Sequence, residues 1–146
     1  MQFVYVEKDY FIYIEKNEKV MDTITQFCKD QGITNAKISG IGAVKKSEIG
    51  AYDTIEKEYI RKHFPKVWEL VNFEGNVTLK DGIPFVHAHV VLSGHDMQTV
   101  GGHLFETTVA AVGEFFLRKF DGTAYRKLND DVGLPCICLD KKFEIS

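Results

Sequence analysis

The chain has 146 residues, 45% of them hydrophobic and 27% charged, with a formal net charge of −3. That length suits one globular domain spanning residues 1–146, and the acidic balance excludes a free-standing, non-specific nucleic-acid binder, which would present a basic face. No apolar run approaches the roughly 18 residues of a membrane span, and the opening MQFVYVEKDY lacks the basic and apolar segments of a secretory signal, which points to the cytoplasm.

Residues 2–15, QFVYVEKDYFIYIE, alternate and are rich in aromatic and β-branched side chains. They predict a strand pair turning at or near Lys8-Asp9. Asn17 stands as N-cap of a helix from about Glu18 to Gln31, in which Val20, Ile24, Phe27 and Cys28 share one face. Gly32 supplies the stop. Residues 36–52, AKISGIGAVKKSEIGAY, read as a long strand with glycine irregularities. Gly40 and Gly42 do not make a dinucleotide loop: Lys45 occupies the third glycine position, and the segment follows a helix, whereas that fingerprint follows a strand.

Residues 56–63 alternate charged with apolar side chains, as an exposed strand does. Lys66 to Leu79 reads as another strand, broken near Gly75-Asn76, with Trp68 and Phe73 as core or interface packing. Lys80-Asp81-Gly82 has turn chemistry. In residues 107–120, TTVAAVGEFFLRKF, β-branched and aromatic content favours strand over helix. Residues 124–140 are loop-rich, with a last strand at Cys136 to Leu139. Many strands and one clear helix make an α+β domain of antiparallel β-sheet with one main helix. Cys28, Cys136 and Cys138 lack framework spacing and fit reduced thiols in the cytoplasm. Cys136 and Cys138 share a strand face, yet as two soft ligands without partners they read as small apolar residues.

The stretch from Pro84 to Glu106, PFVHAHVVLSGHDMQTVGGHLFE, carries the chemistry. His87 and His89 are two apart on a predicted strand, so they share a face about 6–7 Å apart. Two imidazoles there can converge on one metal ion at roughly 2.0–2.1 Å each. The turn at Ser93-Gly94-His95-Asp96 leads to a second arm bearing Gly101-Gly102-His103-Leu104. If Gly94 pairs with Gln98 around a three-residue loop, His89 lies opposite His103, and all three histidines share one face. A two-residue loop would turn His103 away. The paired glycines fit a bulge or a close backbone approach. The competing reading is packing alone, with the histidines as ordinary cross-strand partners. The pattern HxH with GGH one hairpin later favours a transition-metal site at His87, His89 and His103. Because only neutral imidazole coordinates, its affinity should weaken near the reference histidine pKa of about 6.5.

In order along the chain come GIGAV at 40–44, WELVNFEGNV at 68–77, HAHVVL at 87–92, GGHL at 101–104, Glu114, and YRKLNDDVGLP at 125–135. Together they resemble the PPC (plants and prokaryotes conserved) domain family in its stand-alone prokaryotic form. The resemblance implies antiparallel sheet packed with a helix, a homotrimer, and zinc at His87, His89 and His103 with an open fourth position for a small-molecule ligand. The family is also tied to DNA binding, because plant members add Arg-Gly-Arg-Pro segments that enter the minor groove. This sequence has none. Its basic clusters, Lys45-Lys46, Arg61-Lys62-His63 and Arg118-Lys119, are short and separated, so DNA binding should be weak and salt-sensitive.

Glu114 and Arg126 match polar positions of the family pattern. Near a metal-bound water a glutamate could act as base, and an arginine fork would hold a carboxylate; the alternative for both is an ion pair at a subunit interface. His95 reads as a solvated turn residue and His63 as surface. Three functions compete: a metal-centred small-molecule site, a DNA-associated regulator, and a structural assembly module.

Overall fold

The alternation of Gln2–Val6 (β1) and Asp9–Ile14 (β2) pairs the two strands as a hairpin, with Val6 opposite Asp9. The structure, a computed structural model, describes residues 1–7 and 9–139, so Lys8 of the expected turn and Asp140 of the expected tail lie outside the described residues. The remaining elements are a helix, Val20–Asp30 (α1), and the strands Ala36–Asp53 (β3), Glu58–Phe64 (β4), Trp68–Lys80 (β5), Ile83–Ser93 (β6), Thr99–Lys119 (β7), Tyr125–Asn129 (β8) and Leu134–Cys138 (β9).

The helix buries Val20, Ile24, Phe27 and Cys28, the face read from the sequence, and packs on β6 and β7. Desolvation pushes the Cys28 thiol up to about 12, which leaves it an inert apolar filler. The N-cap expectation was wrong. Lys19 holds that position without a side-chain bond, while Asn17 sits at φ 73° and its Oδ1 accepts from Lys45 Nζ at 2.7 Å. The cap comes instead from across the fold: Glu106 of β7 accepts the N–H groups of Met21 (2.9 Å) and Asp22 (3.1 Å). A partly buried carboxylate thus takes the orphan donors of the first turn. At the other end Gly32, at φ 62°, donates to the Lys29 carbonyl, and Ile33 to that of Cys28, which closes the helix as a Schellman motif.

Among the described residues the strands form one sheet, antiparallel except where β5 meets β8 in parallel at Leu79–Tyr125 and Lys80–Arg126. Its path runs β1-β2-β7-β3-β5-β8-β9, with β4 on the outer half of β3 and β6 between β5 and β7. Because β6 bonds both β5 and β7, and β3 bonds both as well, the sheet returns on itself. The closed part is filled by Leu70, Phe73, Leu92, Leu104, Val109 and Phe115. Phe73 meets Phe115 edge-on at 5.2 Å, and the Phe115 ring lies so close to Gly40 that a Cβ there would overlap it. The β3 register slips beside this contact, between Gly40 and Gly42.

Three expectations need correction. The strand from Trp68 runs unbroken through Gly75-Asn76; its irregularity falls at Val71, between the pairs of Leu70 and Asn72. Gly75 is there because a Cβ would stand 2.6 Å from the His87 carbonyl on the neighbouring strand. Residues 107–120 are not a separate strand but the continuation of the hairpin arm, since β7 runs from Thr99 to Lys119. The tail holds two strands, β8 and β9, and β8 is fixed by the parallel contact with β5.

Candidate metal centre

The loop between β6 and β7 is the three-residue form: the Gly94 N–H donates to the Gln98 carbonyl at 2.9 Å, and Met97 takes the left-handed conformation at φ 63° that such a loop needs. Ser93 then pairs with Thr99, and His89 with His103. Odd loop length therefore puts His87, His89 and His103 on one face, as the register argument required. Their ring centroids are 5.3, 5.0 and 5.6 Å apart, and one potential ligand nitrogen from each lies within 4.8 Å of the others.

The row continues across the sheet. His103 pairs with Gly50 of β3, and Gly50 pairs on its other edge with Arg61 of β4. Gly50 adds no side chain, and a Cβ there would meet the Phe105 ring at 2.9 Å. Phe105 and Arg61 use that gap: the guanidinium carbon lies 3.7 Å from the ring centroid, and Arg61 Nη1 donates to Glu48 Oε1 at 3.2 Å. Tyr59 stacks on His103 at 4.8 Å and 31°. On the other side, Arg126 is buried. Its Nε donates to Thr78 Oγ1, Nη1 to the Pro135 carbonyl and Nη2 to Asn76 Oδ1, each at 2.9 Å. Nη2 also meets His87 Nδ1 at 3.3 Å.

An arginine can only donate, so His87 Nδ1 carries the lone pair in this state. A neutral imidazole has one such lone pair. Cation binding at His87 therefore either replaces the Arg126 contact or needs the other tautomer, with a proton facing a guanidinium. His103 Nδ1 is buried without a hydrogen-bond partner among the described residues, an orphan that a cation would satisfy. Burial lowers the pKa of both His87 and His103 to about 4. The Arg126 charge adds to this at His87, and the neighbouring histidines, Arg61 and Arg126 add to it at His103. Both rings are thus neutral, the ligating form, near pH 7. Three convergent imidazoles fit a divalent transition metal. Zinc–nitrogen bonds of about 2.0–2.1 Å set nitrogens about 3.4 Å apart, inside the 4.8 Å within which these nitrogens lie.

The low pKa values move proton competition at His87 and His103 below the reference range expected from sequence. They also predict a pH dependence of stability without metal. The unfolded chain takes up protons on these histidines below about pH 6.5, while the folded chain does not until about 4. Stability should therefore fall as pH drops through that window. Urea midpoints of metal-stripped protein at about pH 7 and about pH 5 measure this, and equal values would contradict the burial of the two rings.

His87, His103, Tyr59, Arg61, Phe85, Phe105, Arg126 and Leu134 line a cavity of about 350 Å³. Arg126 was anticipated from sequence; Tyr59 and Arg61 were not, because nothing local in β4 reveals its pairing with β3, and Phe105 was missed although strand alternation sets it on the face of His103 in β7. Glu114 is exposed on the far half of β7, opposite Tyr13 and Ile41, and lines a separate concavity with Ile41, Val71 and Val112. Within one protomer it does not join the histidines. His95 is exposed in the hairpin turn. His63 is exposed on β4, 3.6 Å from Glu48.

Known proteins resemble this chain over most of its length. Residues 1–121 match the model of the Plants and Prokaryotes Conserved (PCC) domain, a span that holds all three histidines but stops short of Arg126. A plant- and prokaryote-conserved (PPC) protein from Pyrococcus horikoshii is 38% identical, with 92% of each chain covered and a TM-score of 0.84. A metal-containing protein from Archaeoglobus fulgidus is 35% identical, covering 94% of this chain and 96% of its own, also at a TM-score of 0.84. A candidate DNA-binding protein from Bacteroides thetaiotaomicron is 25% identical over 94% of this chain and 96% of its own, at a TM-score of 0.91. No curated protein matches the chain. With the family model spanning most of its length and two relatives above the level at which folds and families part, the chain belongs to the Plants and Prokaryotes Conserved domain family.

Proposed function

We propose that residues 1–146 form a single cytoplasmic PPC domain that binds one divalent metal ion, zinc, through His87, His89 and His103, and engages a small molecule at that ion. The observation that carries this reading is the convergence of three ligand nitrogens within 4.8 Å, with His87 and His103 at the wall of a cavity. A three-histidine set leaves the fourth zinc position for water or ligand, as in catalytic rather than structural sites. The metal-containing relative supports the reading. Elemental analysis of the purified chain tests it, and the expected content is one ion per protomer. The three free cysteines are in keeping with a reducing compartment. No helix of the described residues is long and apolar enough to cross a membrane.

The working unit in this proposal is a homotrimer. Phe11, Ile41, Val71, Val112 and Phe116 are exposed, and Phe11 stacks on Phe116 at 4.6 Å. So much apolar surface on one small chain favours a partner. Glu114 lies beside Ile41 and Val112, where an interface ion pair is the better of its two roles. Light scattering should give three times the 16.6 kDa of one chain, and a clean monomer would remove the trimer.

The candidate DNA-binding relative favours a second reading, a DNA-associated regulator. The net charge of −3 and the scattered basic clusters weigh against tight binding by this chain alone. Titration of A·T-rich duplex at near-physiological salt should show no tight complex. Sub-micromolar affinity with preference over G·C-rich duplex would promote the regulator above the metal-centred function.

A further inference from the structure

We infer that the cavity beside the histidines takes a small monocarboxylate with a short apolar group, Arg61 being the residue that contacts the anion. The inference rests on the metal-centred reading and names the ligand class for that site. Among the described residues, the charged side chains lining the cavity beside the histidines are Arg61 and Arg126, with no carboxylate. Arg126 has spent four of its five N–H groups on Thr78, Pro135, Asn76 and His87, so it offers charge and one remaining bond. Arg61 is freer. It lies 3.7 Å over the Phe105 ring, and among the described residues its hydrogen-bond partner is Glu48 through Nη1.

An amine entering here would face two guanidinium groups, whereas a carboxylate gains charge-assisted bonds and can be gripped by a guanidinium fork. The donors available, one edge of Arg61 and a last N–H of Arg126, match two carboxylate oxygens and fall short of a phosphate's needs. The rest of the wall is apolar, with Phe85, Leu104, Leu134 and Pro135, so the remainder of the ligand is apolar too. At about 350 Å³ the volume is near the low end of ligand pockets and leaves ample room for a carboxylate with a short apolar group. A cation on the histidines would add positive charge to the same cavity.

Calorimetric titration with isobutyrate, isobutyramide, isobutylamine and inorganic phosphate tests this, on zinc-loaded and on metal-stripped protein. Isobutyrate should bind at least about tenfold more tightly than the isosteric amide in both forms, with the amine and phosphate weaker still. Arg61→Met keeps the apolar stem over Phe105 and removes the charge. It should weaken isobutyrate about tenfold and leave the amide, the metal content and the melting temperature unchanged, and Arg61→Lys should recover part of the loss. Equal binding of amide and carboxylate, phosphate binding as tightly as isobutyrate, or an Arg61→Met variant that binds isobutyrate like wild type would each overturn the inference while leaving metal content untouched. If wild type holds no metal, the metal-centred reading fails separately, and the stripped-protein titrations still decide the carboxylate.

Discussion

His89→Ala is expected to lose metal retention almost entirely while keeping its fold. One of three protein ligands disappears. Substitutions that only touch a ligand's supporting partners cost about 10–100-fold in metal affinity, so removal of a ligand should cost more than about 100-fold. His89 is the right member to remove because it is exposed, and its backbone pairs with Glu74 and His103 do not involve its side chain. The stability change should stay within about 0.5 kcal/mol, as for other exposed positions. His87 is a poorer probe, since losing it frees a donor of buried Arg126 as well. His95→Ala, in the exposed turn, should retain metal like wild type. Elemental analysis after dialysis against a mild chelator compares the three proteins. Equal metal in wild type and His89→Ala would leave the histidine face to be explained by packing.

The histidine face was legible in the sequence because its geometry is local. Strand alternation sets His87 beside His89, and the parity of one loop decides whether His103 joins them; the Gly94–Gln98 bond settles that parity. The helix face was legible for the same reason, through the spacing of Val20, Ile24, Phe27 and Cys28. The helix cap was not. Asn17 has the right chemistry in the right place, but Glu106, far along the chain, satisfies the first-turn donors, and tertiary contact overrides local preference. The other half of the cavity was hidden likewise. Alternation in β4 tells which residues share a face with Arg61, but not that β4 lies beside β3, nor that Gly50 links Arg61 and His103 in one row. Arg126 was picked out by resemblance. Its place against His87 depends on a two-residue parallel contact between β5 and β8 that no periodicity announces.

Gly102→Ala should damage both the fold and the metal site while leaving every candidate ligand in place. A Cβ at Gly102 would stand 2.7 Å from the Gly50 carbonyl oxygen and 3.4 Å from its carbon. Both obstacles are backbone atoms of β3, at the point where β3 pairs with His103 and Arg61, so no side-chain rotation can make room. The methyl must push β7 away from β3 beside the histidines. Overpacking of this kind costs about 1–3 kcal/mol. The displaced backbone carries His103, so metal affinity should fall as well, although all three imidazoles remain. Gly122→Ala is the matched control. Its nearest contact would be an ordinary 3.5 Å to the Phe120 ring, and its stability should stay within about 0.5 kcal/mol of wild type. Urea denaturation of the metal-stripped variants isolates the packing cost, and metal titration of the folded proteins then isolates the effect on the site. A Gly102→Ala variant as stable as Gly122→Ala, with wild-type metal affinity, would show that the paired glycines are not what holds His103 against the other two histidines.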